Sequence, residues 1–132
     1  MKGVSMSFGL KWEPDGVVKK FTETVNNDEF VAATADVQSH PDFSRIGFVI
    51  NDFSEVSHFE VTPEIMEAYF SSVANAYRAN EKIKIAFITQ DSVTEEYINT
   101  FILTKPLPYR SRVFKSASEA RGWCKTLKSK SV

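Results

Sequence analysis

Two segments near the N-terminus alternate between apolar and polar residues. The alternating apolar positions are Met6, Phe8, Leu10 and Trp12 in the first segment and Val17, Phe21 and Val25 in the second. An alternation of period two is typical of a strand with one buried face. The sequence Pro14-Asp15-Gly16 between the segments predicts a turn, because proline presets one backbone dihedral and glycine tolerates positive φ. The pattern predicts an N-terminal antiparallel hairpin.

Four later segments carry apolar residues at helical spacing. Their predicted inward positions are Phe30, Ala33, Thr34 and Val37 in the first helix; Ile65, Met66, Tyr69, Phe70, Val73 and Tyr77 in the second; Val93, Tyr97, Ile98, Phe101 and Ile102 in the third; and Ala120, Trp123, Cys124 and Leu127 in the fourth. Each helix follows a residue whose side-chain oxygen can accept a hydrogen bond from the first turn. These predicted caps are Asn26 or Asn27, Thr62, Ser92 and Ser116.

Three further strands fall between the helices. Residues 46–50, IGFVI, are apolar at every position, which is typical of a strand covered on both faces. Residues 82–89, KIKIAFIT, alternate, with Ala86 expected on the polar side, and residues 109–114, YRSRVF, form a last short strand. Residues 51–61 are predicted to be a polar loop between the first of these strands and the second helix.

The predicted order of elements is β-β-α-β-α-β-α-β-α. Strands that alternate with helices indicate right-handed crossovers and a mostly parallel sheet. The fold class is therefore α/β, a mixed sheet with the antiparallel hairpin at one edge. The 132 residues contain no internal repeat or linker, which predicts one domain over residues 1–132 with a core over about residues 6–127. Of these residues 42% are hydrophobic and 25% are charged, as in ordinary globular domains.

Charge and cysteine content exclude several functional classes. The formal net charge of −1 argues against a dedicated nucleic-acid binder. The single cysteine, Cys124, excludes an internal disulfide framework and suits a reducing cytoplasm. The N-terminal residues lack the apolar region of a signal peptide, and no apolar run approaches the roughly 20 residues of a membrane-spanning helix. We therefore expect a cytoplasmic protein without a membrane span.

Three segments resemble the STAS (anti-sigma-factor-antagonist-like, SpoIIAA-like) domain family, in its uncharacterised bacterial branch. They are FVINDFSEVSHFEVTPEIM (48–66), IKIAFIT (83–89) and RVFKSASEARGWC (112–124). In the last segment, the family's F…EA..W ending is matched by Phe114, Glu119, Ala120 and Trp123. The resemblance covers roughly residues 6–127. It implies the STAS fold and a non-enzymatic regulatory module that binds a protein partner.

The same resemblance draws attention to the region after Ile50. In signalling STAS domains a kinase phosphorylates a serine in an Asp-Ser-Gly stretch at a helix N-terminus, and this modification controls partner binding. Here Asp52 is followed by Phe53-Ser54-Glu55, without the glycine. Ser54 and Ser57 are then the candidate phosphorylated serines. The implied partner-binding surface consists of Asp52, Ser54, Glu55, Ser57 and Thr62.

The residues themselves leave two interpretations of this region open. Asp52 at the carboxyl end of a parallel strand lies where α/β folds hold ligands, yet an aspartate there also commonly bonds to backbone N–H groups of its own turn. His58 could form a metal site with Asp52, Glu55 and Glu60, or a hydrolase pair with Asp52 alone. The spacing matches no HExxH or G-x-S-x-G pattern. We therefore expect a surface histidine, no metal, no cofactor and no catalytic residue.

Cys124 and the aromatic residues pose a choice between core packing and function. Cys124 on the inward face of the last helix is expected to be a small core residue rather than a nucleophile. The aromatic residues of the second and third helices could line a cavity for a small apolar or lipid-like ligand. At helical spacing they more often fill the core. Ligand binding is therefore the second functional hypothesis, after partner binding.

The charged residues are unevenly distributed along the chain. Residues 28–67 carry nine acidic residues and only Arg45 as a base, whereas residues 105–130 are basic apart from Glu119. This asymmetry favours docking to a partner of complementary charge or head-to-tail to a second copy. Carboxylates near helix starts and bases near the last helix end would give the same distribution without docking. A homodimer through the hairpin edge is a further alternative.

Overall fold

The computed structural model describes residues 8–105 and 110–126. In these residues five strands and four α-helices occur in the predicted order: β1 (Phe8–Glu13), β2 (Gly16–Val25), α1 (Asn27–Gln38), β3 (Phe48–Phe59), α2 (Pro63–Ala76), β4 (Lys84–Ile88), α3 (Ser92–Leu103), β5 (Ser111–Phe114) and α4 (Ala117–Lys125). A short 3-10 helix, Pro41–Ser44, precedes β3. The predicted inward positions Met6 and Leu127 lie outside the described residues.

The sheet has the order β1-β2-β3-β4-β5. β1 and β2 form the predicted antiparallel hairpin, and the other neighbours pair in parallel. Because the three crossovers step in one direction and right-handed crossovers are the rule, α1, α2 and α3 are expected on the same face. They do pack together there, and among the described helices α4 is the one that covers the opposite face.

The larger core lies between the sheet and α1–α3 and is rich in aromatic residues. Phe53 is at its centre, with its ring centroid 5.2 Å from that of Phe21 and 5.1 Å from that of Phe59. The Phe30 and Phe87 rings lie at 6.4 and 6.3 Å. Tilted and edge-to-face pairs at such distances stabilise a core beyond the burial of their area. Much of the chain's aromatic content is therefore structural, as predicted.

The smaller core is held by α4. Ala120 is buried there against Phe48, Ile50 and Ala86, so Ala86 is a core residue and its predicted polar side is wrong. Arg121 donates two hydrogen bonds, of 3.0 and 2.7 Å, to the Glu13 carboxylate of β1. A bidentate pair of this kind fixes orientation, so α4 is anchored to the N-terminal hairpin.

The helix caps are partly as predicted. Asn26 forms a capping box with Glu29, and Ser116 accepts from the Glu119 N–H at the start of α4. The predicted Ser92 cap is wrong by one residue, because the Asp91 carboxylate accepts from Thr94 N–H instead. Thr62 is at the N-cap position of α2, but its side chain makes no capping bond.

The largest departure from the predicted elements is the length of β3. The IGFVI segment was expected to end at Ile50 and to lead into a loop. The strand instead begins at Phe48 and continues to Phe59. The predicted loop of residues 51–61 is therefore mostly strand. Its polar residues Ser54, Glu55, Ser57 and His58 are exposed, whereas Asn51 and Asp52 are buried.

Candidate functional site

The C-terminal part of β3 extends beyond the rest of the sheet on one side. β3 pairs with β4 only as far as Asp52 opposite Ile88. It continues to pair with β2 up to Phe59 opposite Val25. In the described part of the chain, residues 53–59 therefore have no strand on the β4 side. We call this segment the open edge.

The open edge is irregular rather than flat. Its pairing with β2 shifts register between Lys20 and Thr22 and again between Glu23 and Thr24. Glu23, beside the second shift, has φ of 61°, in the left-handed region that non-glycine residues rarely adopt. Bulges bend a strand and discourage edge-to-edge aggregation. The irregularity therefore limits how long a partner strand could pair there.

A solvent-open cleft of about 420 Å³ lies between the open edge and the first turn of α3. Its walls are Phe53, Val56, Ser57, His58, Phe59, Glu60, Thr89, Asp91, Val93 and Thr94. Val93 was predicted to face the core, but its side chain is 71% exposed. Hydrogen bonds from Thr94 hold the pKa of Asp91 below its usual value. The cleft thus combines an exposed apolar side chain with a carboxylate that is ionised at neutral pH.

Three predicted partner-binding residues lie together at the start of the open edge. Lys20 Nζ is 3.0 Å from the Glu55 carboxylate and 3.7 Å from the Asp52 carboxylate. The bond to Glu55 raises the pKa of Lys20. Asp52 also accepts a 2.9 Å hydrogen bond from the Ser54 N–H. The Asp52 carboxylate therefore bonds to its own backbone, as the structural interpretation of this residue predicts.

The other two predicted partner-binding residues lie apart from this group. Ser57 lines the cleft, next to His58. Thr62 contacts the start of α1, where its N–H donates a 2.9 Å hydrogen bond to the side-chain oxygen of Asn27. The five predicted residues thus do not form one compact surface. In the described residues, no group of three or more His, Cys, Asp or Glu side chains could hold a metal ion.

A second feature, in the interior, involves Lys19 of β2. The Lys19 side chain is only 2% exposed, and its amine donates a 3.4 Å hydrogen bond to the Thr34 hydroxyl of α1. The ring centroids of Phe30 and Tyr69 lie 5.6 and 5.5 Å from the amine nitrogen. Such rings attract a cation through their electron-rich faces, but burial prevails and lowers the pKa of Lys19 to about 7.

Polar groups of β3 and α2 accompany Lys19. Asn51 is its register partner on β3 and is 0% exposed. The Asn51 amide nitrogen donates a 3.5 Å hydrogen bond to the Tyr69 hydroxyl. The Asn51 Oδ1 accepts no hydrogen bond within the described residues. Burial raises the pKa of Tyr69, so its hydroxyl stays neutral. Lys19, Thr34, Asn51 and Tyr69 together form what we call the Lys19 cluster.

The Lys19 cluster borders two empty spaces. A partly open cavity of about 20 Å³ touches Lys19, Thr34 and Tyr69, which is enough for about one water molecule. An apolar groove of about 250 Å³ runs between α1 and α2. Thr34, Gln38 and Tyr69 line both spaces. These three side chains therefore form the wall between the groove and the buried amine.

Comparison with known proteins identifies the fold. No model of a protein family matches the chain, and no curated protein matches it in sequence. The structure of the anti-sigma factor antagonist SpoIIAA in its unphosphorylated form has a TM-score of 0.62 at 10% identity, over 91% of this chain and 99% of that one. The chain has a SpoIIAA-like fold.

Two further solved structures share this SpoIIAA-like fold. The phosphorylated form of the Bacillus cell fate determinant SpoIIAA has a TM-score of 0.60 at 13% identity, over 89% of this chain and 99% of that one. An uncharacterised protein of the DUF3478 family from Shewanella loihica PV-4 has a TM-score of 0.58 at 13% identity. It covers 94% of this chain and 98% of its own. The predicted STAS fold is therefore confirmed.

Cys124 is half-buried and packs against the smaller core. Burial raises the pKa of its thiol to about 11, so the thiolate is scarce at neutral pH and the residue is a poor nucleophile. Lys84 and Arg121 act in the opposite direction but do not offset burial.

Among the described residues, no helix is both long and apolar enough to cross a bilayer.

Sequence reasoning missed the Lys19 cluster, although a signal for it exists. The alternation in β2 puts Val17, Lys19 and Phe21 on one face, so Lys19 shares the face that was predicted to be buried. Lysine is almost never fully buried without a partner. A lysine on the apolar face of a strand therefore marks a position that requires an explanation.

Proposed function

We propose that this chain is a non-enzymatic regulatory module that binds a short extended segment of a partner protein in the cleft beside the open edge. One observation carries the proposal: residues 53–59 of β3 have a cleft instead of a strand on their β4 side. The SpoIIAA-like fold supports a regulatory role, because SpoIIAA is described as an anti-sigma factor antagonist.

The backbone of the open edge supports this mode of binding. A strand carries N–H and C=O groups on both of its sides, and β3 beyond Asp52 uses the β2 side. An extended peptide added at such an edge gains main-chain hydrogen bonds, while pockets for its side chains give specificity. The two register shifts keep the pairing short. The expected occupant is therefore a few residues long rather than a complete strand.

The charges around the cleft favour a basic occupant. Glu60 and Asp91 line the cleft, and Glu55 is exposed at the start of the open edge. Lysine or arginine in the partner segment would complement Glu60 and Asp91 and accelerate association, whereas Glu55 is already paired with Lys20. Phosphorylation of Ser54 or Ser57 would add negative charge at the same place. We therefore expect such a modification to strengthen the binding of a basic segment.

The exposed valine of the cleft provides the first test. A peptide ligand is selected from a random phage-displayed library on the wild-type protein, and its affinity is measured by titration calorimetry. Val93→Ser is expected to weaken binding about tenfold, since burial of a valine side chain contributes ~1.5 kcal/mol. Glu60→Lys should weaken a basic peptide further.

Leu103 offers a matched control on the same helix. Its side chain is 75% exposed, and it lies ten residues from Val93, or about 15 Å along the helix axis. Leu103→Ser is expected to leave the affinity within twofold of wild type, and the bound peptide should shift the amide resonances of residues 53–60. Equal loss in both variants, or shifts confined to another surface, would contradict the proposal. So would a concentration-dependent dimer that closes the cleft.

A further inference from the structure

Among the described residues, no carboxylate pairs with the ammonium group of Lys19. The side chains that face it are Thr34 and Phe30 from α1, Tyr69 from α2 and Asn51 from β3. The described residues that line the adjoining cavity include no aspartate or glutamate. A buried charge is costly unless it is paired. A ligand that brings a negative charge would remove this cost.

The hydrogen-bonding groups of the Lys19 cluster suit a carboxylate. The Lys19 amine, the Asn51 amide nitrogen and the Tyr69 hydroxyl are all able to donate. Tyr69 remains protonated because burial raises its pKa. Charge-assisted bonds from such donors to a carboxylate are among the stronger hydrogen bonds in proteins. The cluster is therefore complementary to an anion in both charge and donor content.

The groove between α1 and α2 provides space for an apolar body. Its walls are Phe30, Val31, Thr34, Ala35, Gln38, Ile65, Ala68, Tyr69 and Ser72. Gln38 bridges the two helices through a 3.4 Å hydrogen bond to the Ser72 hydroxyl. This bond is long for a hydrogen bond and therefore weak. Rotation of Gln38 would open the wall between the groove and the amine.

We propose that the α1–α2 groove and the Lys19 cavity form one binding site for a small monocarboxylate with an apolar body. The carboxylate pairs with the Lys19 ammonium, and the apolar body lies between the two helices. This site is independent of the cleft beside β3, and its ligand is a small molecule rather than a peptide. A monocarboxylate is preferred because no second cation adjoins the cavity among the described residues.

Octanoate is a direct probe of this site, and octan-1-ol is the uncharged control with the same tail. We expect saturable 1:1 binding of octanoate to the wild-type protein, at least tenfold tighter than that of octan-1-ol, by titration calorimetry. Lys19→Met should remove this preference, leaving the two probes within about threefold of each other. Lys82→Met, at an exposed lysine, should bind octanoate as the wild-type protein does.

Proton uptake gives a second readout that a merely structural lysine would not produce. At pH 8 the Lys19 amine is mostly neutral, since its pKa is about 7, and pairing with a carboxylate requires the ammonium form. Octanoate binding at pH 8 is therefore expected to take up close to one proton. Calorimetry in buffers of different ionisation enthalpy measures this number, and Lys19→Met should reduce it to near zero.

A variant that fills the groove separates the two halves of the site. Ala68 lines the groove and is exposed, so Ala68→Phe should block the groove and weaken both probes at least tenfold. The proposal is overturned if octanoate binds Lys19→Met as tightly as wild type. It is also overturned if Ala68→Phe leaves affinity unchanged, or if the wild-type protein shows no saturable binding at millimolar octanoate.

Discussion

Lys19→Met is expected to raise the free energy of unfolding at pH 6 by about 2–4 kcal/mol. Lys19 is almost fully buried, and its surroundings offer one long hydrogen bond and two aromatic faces. Methionine has a similar length and carries no charge, so it fills the same space without desolvating an ammonium. A buried lysine that stabilised the fold would give the opposite sign.

The same substitution should change the pH dependence of stability. The pKa of Lys19 is about 7 in the folded protein and 10.5 when unperturbed. Between these values the unfolded chain binds more protons, so wild-type stability rises with pH above 7, by at most ~1.4 kcal/mol per pH unit. Below pH 7 both states are protonated and the full penalty of the buried charge is present. Lys19→Met lacks this rise.

Buried acidic groups such as Cys124 and Tyr69 act in the opposite direction at higher pH. Burial raises the pKa of Cys124 from 9.0 to about 11 and raises that of Tyr69 above 10.0. Each of these groups lowers the free energy of unfolding once the pH exceeds the unperturbed pKa of the group. Urea unfolding at pH 6, 7, 8 and 9 therefore measures the contribution of Lys19 with little interference from these groups. Parallel stability profiles for wild type and Lys19→Met would contradict the prediction, and the exposed Lys82→Met variant should follow the wild-type profile.

Asn80→Ala is expected to destabilise the protein by about 2–4 kcal/mol. The buried Asn80 amide donates to the carbonyls of Phe43 and Ile46 at 2.8 and 2.7 Å. Its oxygen accepts from the Lys82 N–H at 3.1 Å. Alanine would leave both carbonyls without this donor in the interior, and an unsatisfied buried polar group costs about 1–3 kcal/mol.

Asn75→Ala is the matched control for Asn80→Ala. Asn75 lies near the end of α2 and is exposed, so its replacement should change the free energy of unfolding by less than ~0.5 kcal/mol. The two variants are compared by urea denaturation with a common slope. A loss below 1 kcal/mol for Asn80→Ala would show that the segment before β3 has another anchor.

The elements that the sequence predicts well are those where local signals agree with the packing. In the hairpin, the alternation of Val17, Phe21 and Val25 and the Pro14-Asp15-Gly16 turn specify the same structure. In α4, the Ser116 cap and the buried Ala120 do the same. Agreement between local preference and tertiary contacts is what makes a sequence specify one fold. The SpoIIAA-like fold was therefore predictable.

The candidate sites were harder to predict, because tertiary pairing overrides local pattern there. Residues 54–58 are mostly polar, and they form a strand because β2 pairs with them. No periodicity of their own identifies this. Val93 has the correct helical spacing for the core, but in the first turn of α3 it lines the open cleft and stays exposed. The charge of Lys19 suggests a solvent-exposed position, although the side chain is buried.

The simple order of the sheet has a consequence for how the chain folds during synthesis. Each of the five described strands pairs with the strands that precede and follow it along the chain, so none of them must be inserted between two strands that have already paired. The sheet can grow at one side as successive β-α units leave the ribosome, with the N-terminal hairpin as the first template. In the part of the chain that the structure describes, α4 returns to the N-terminal hairpin through the bond between Arg121 and Glu13.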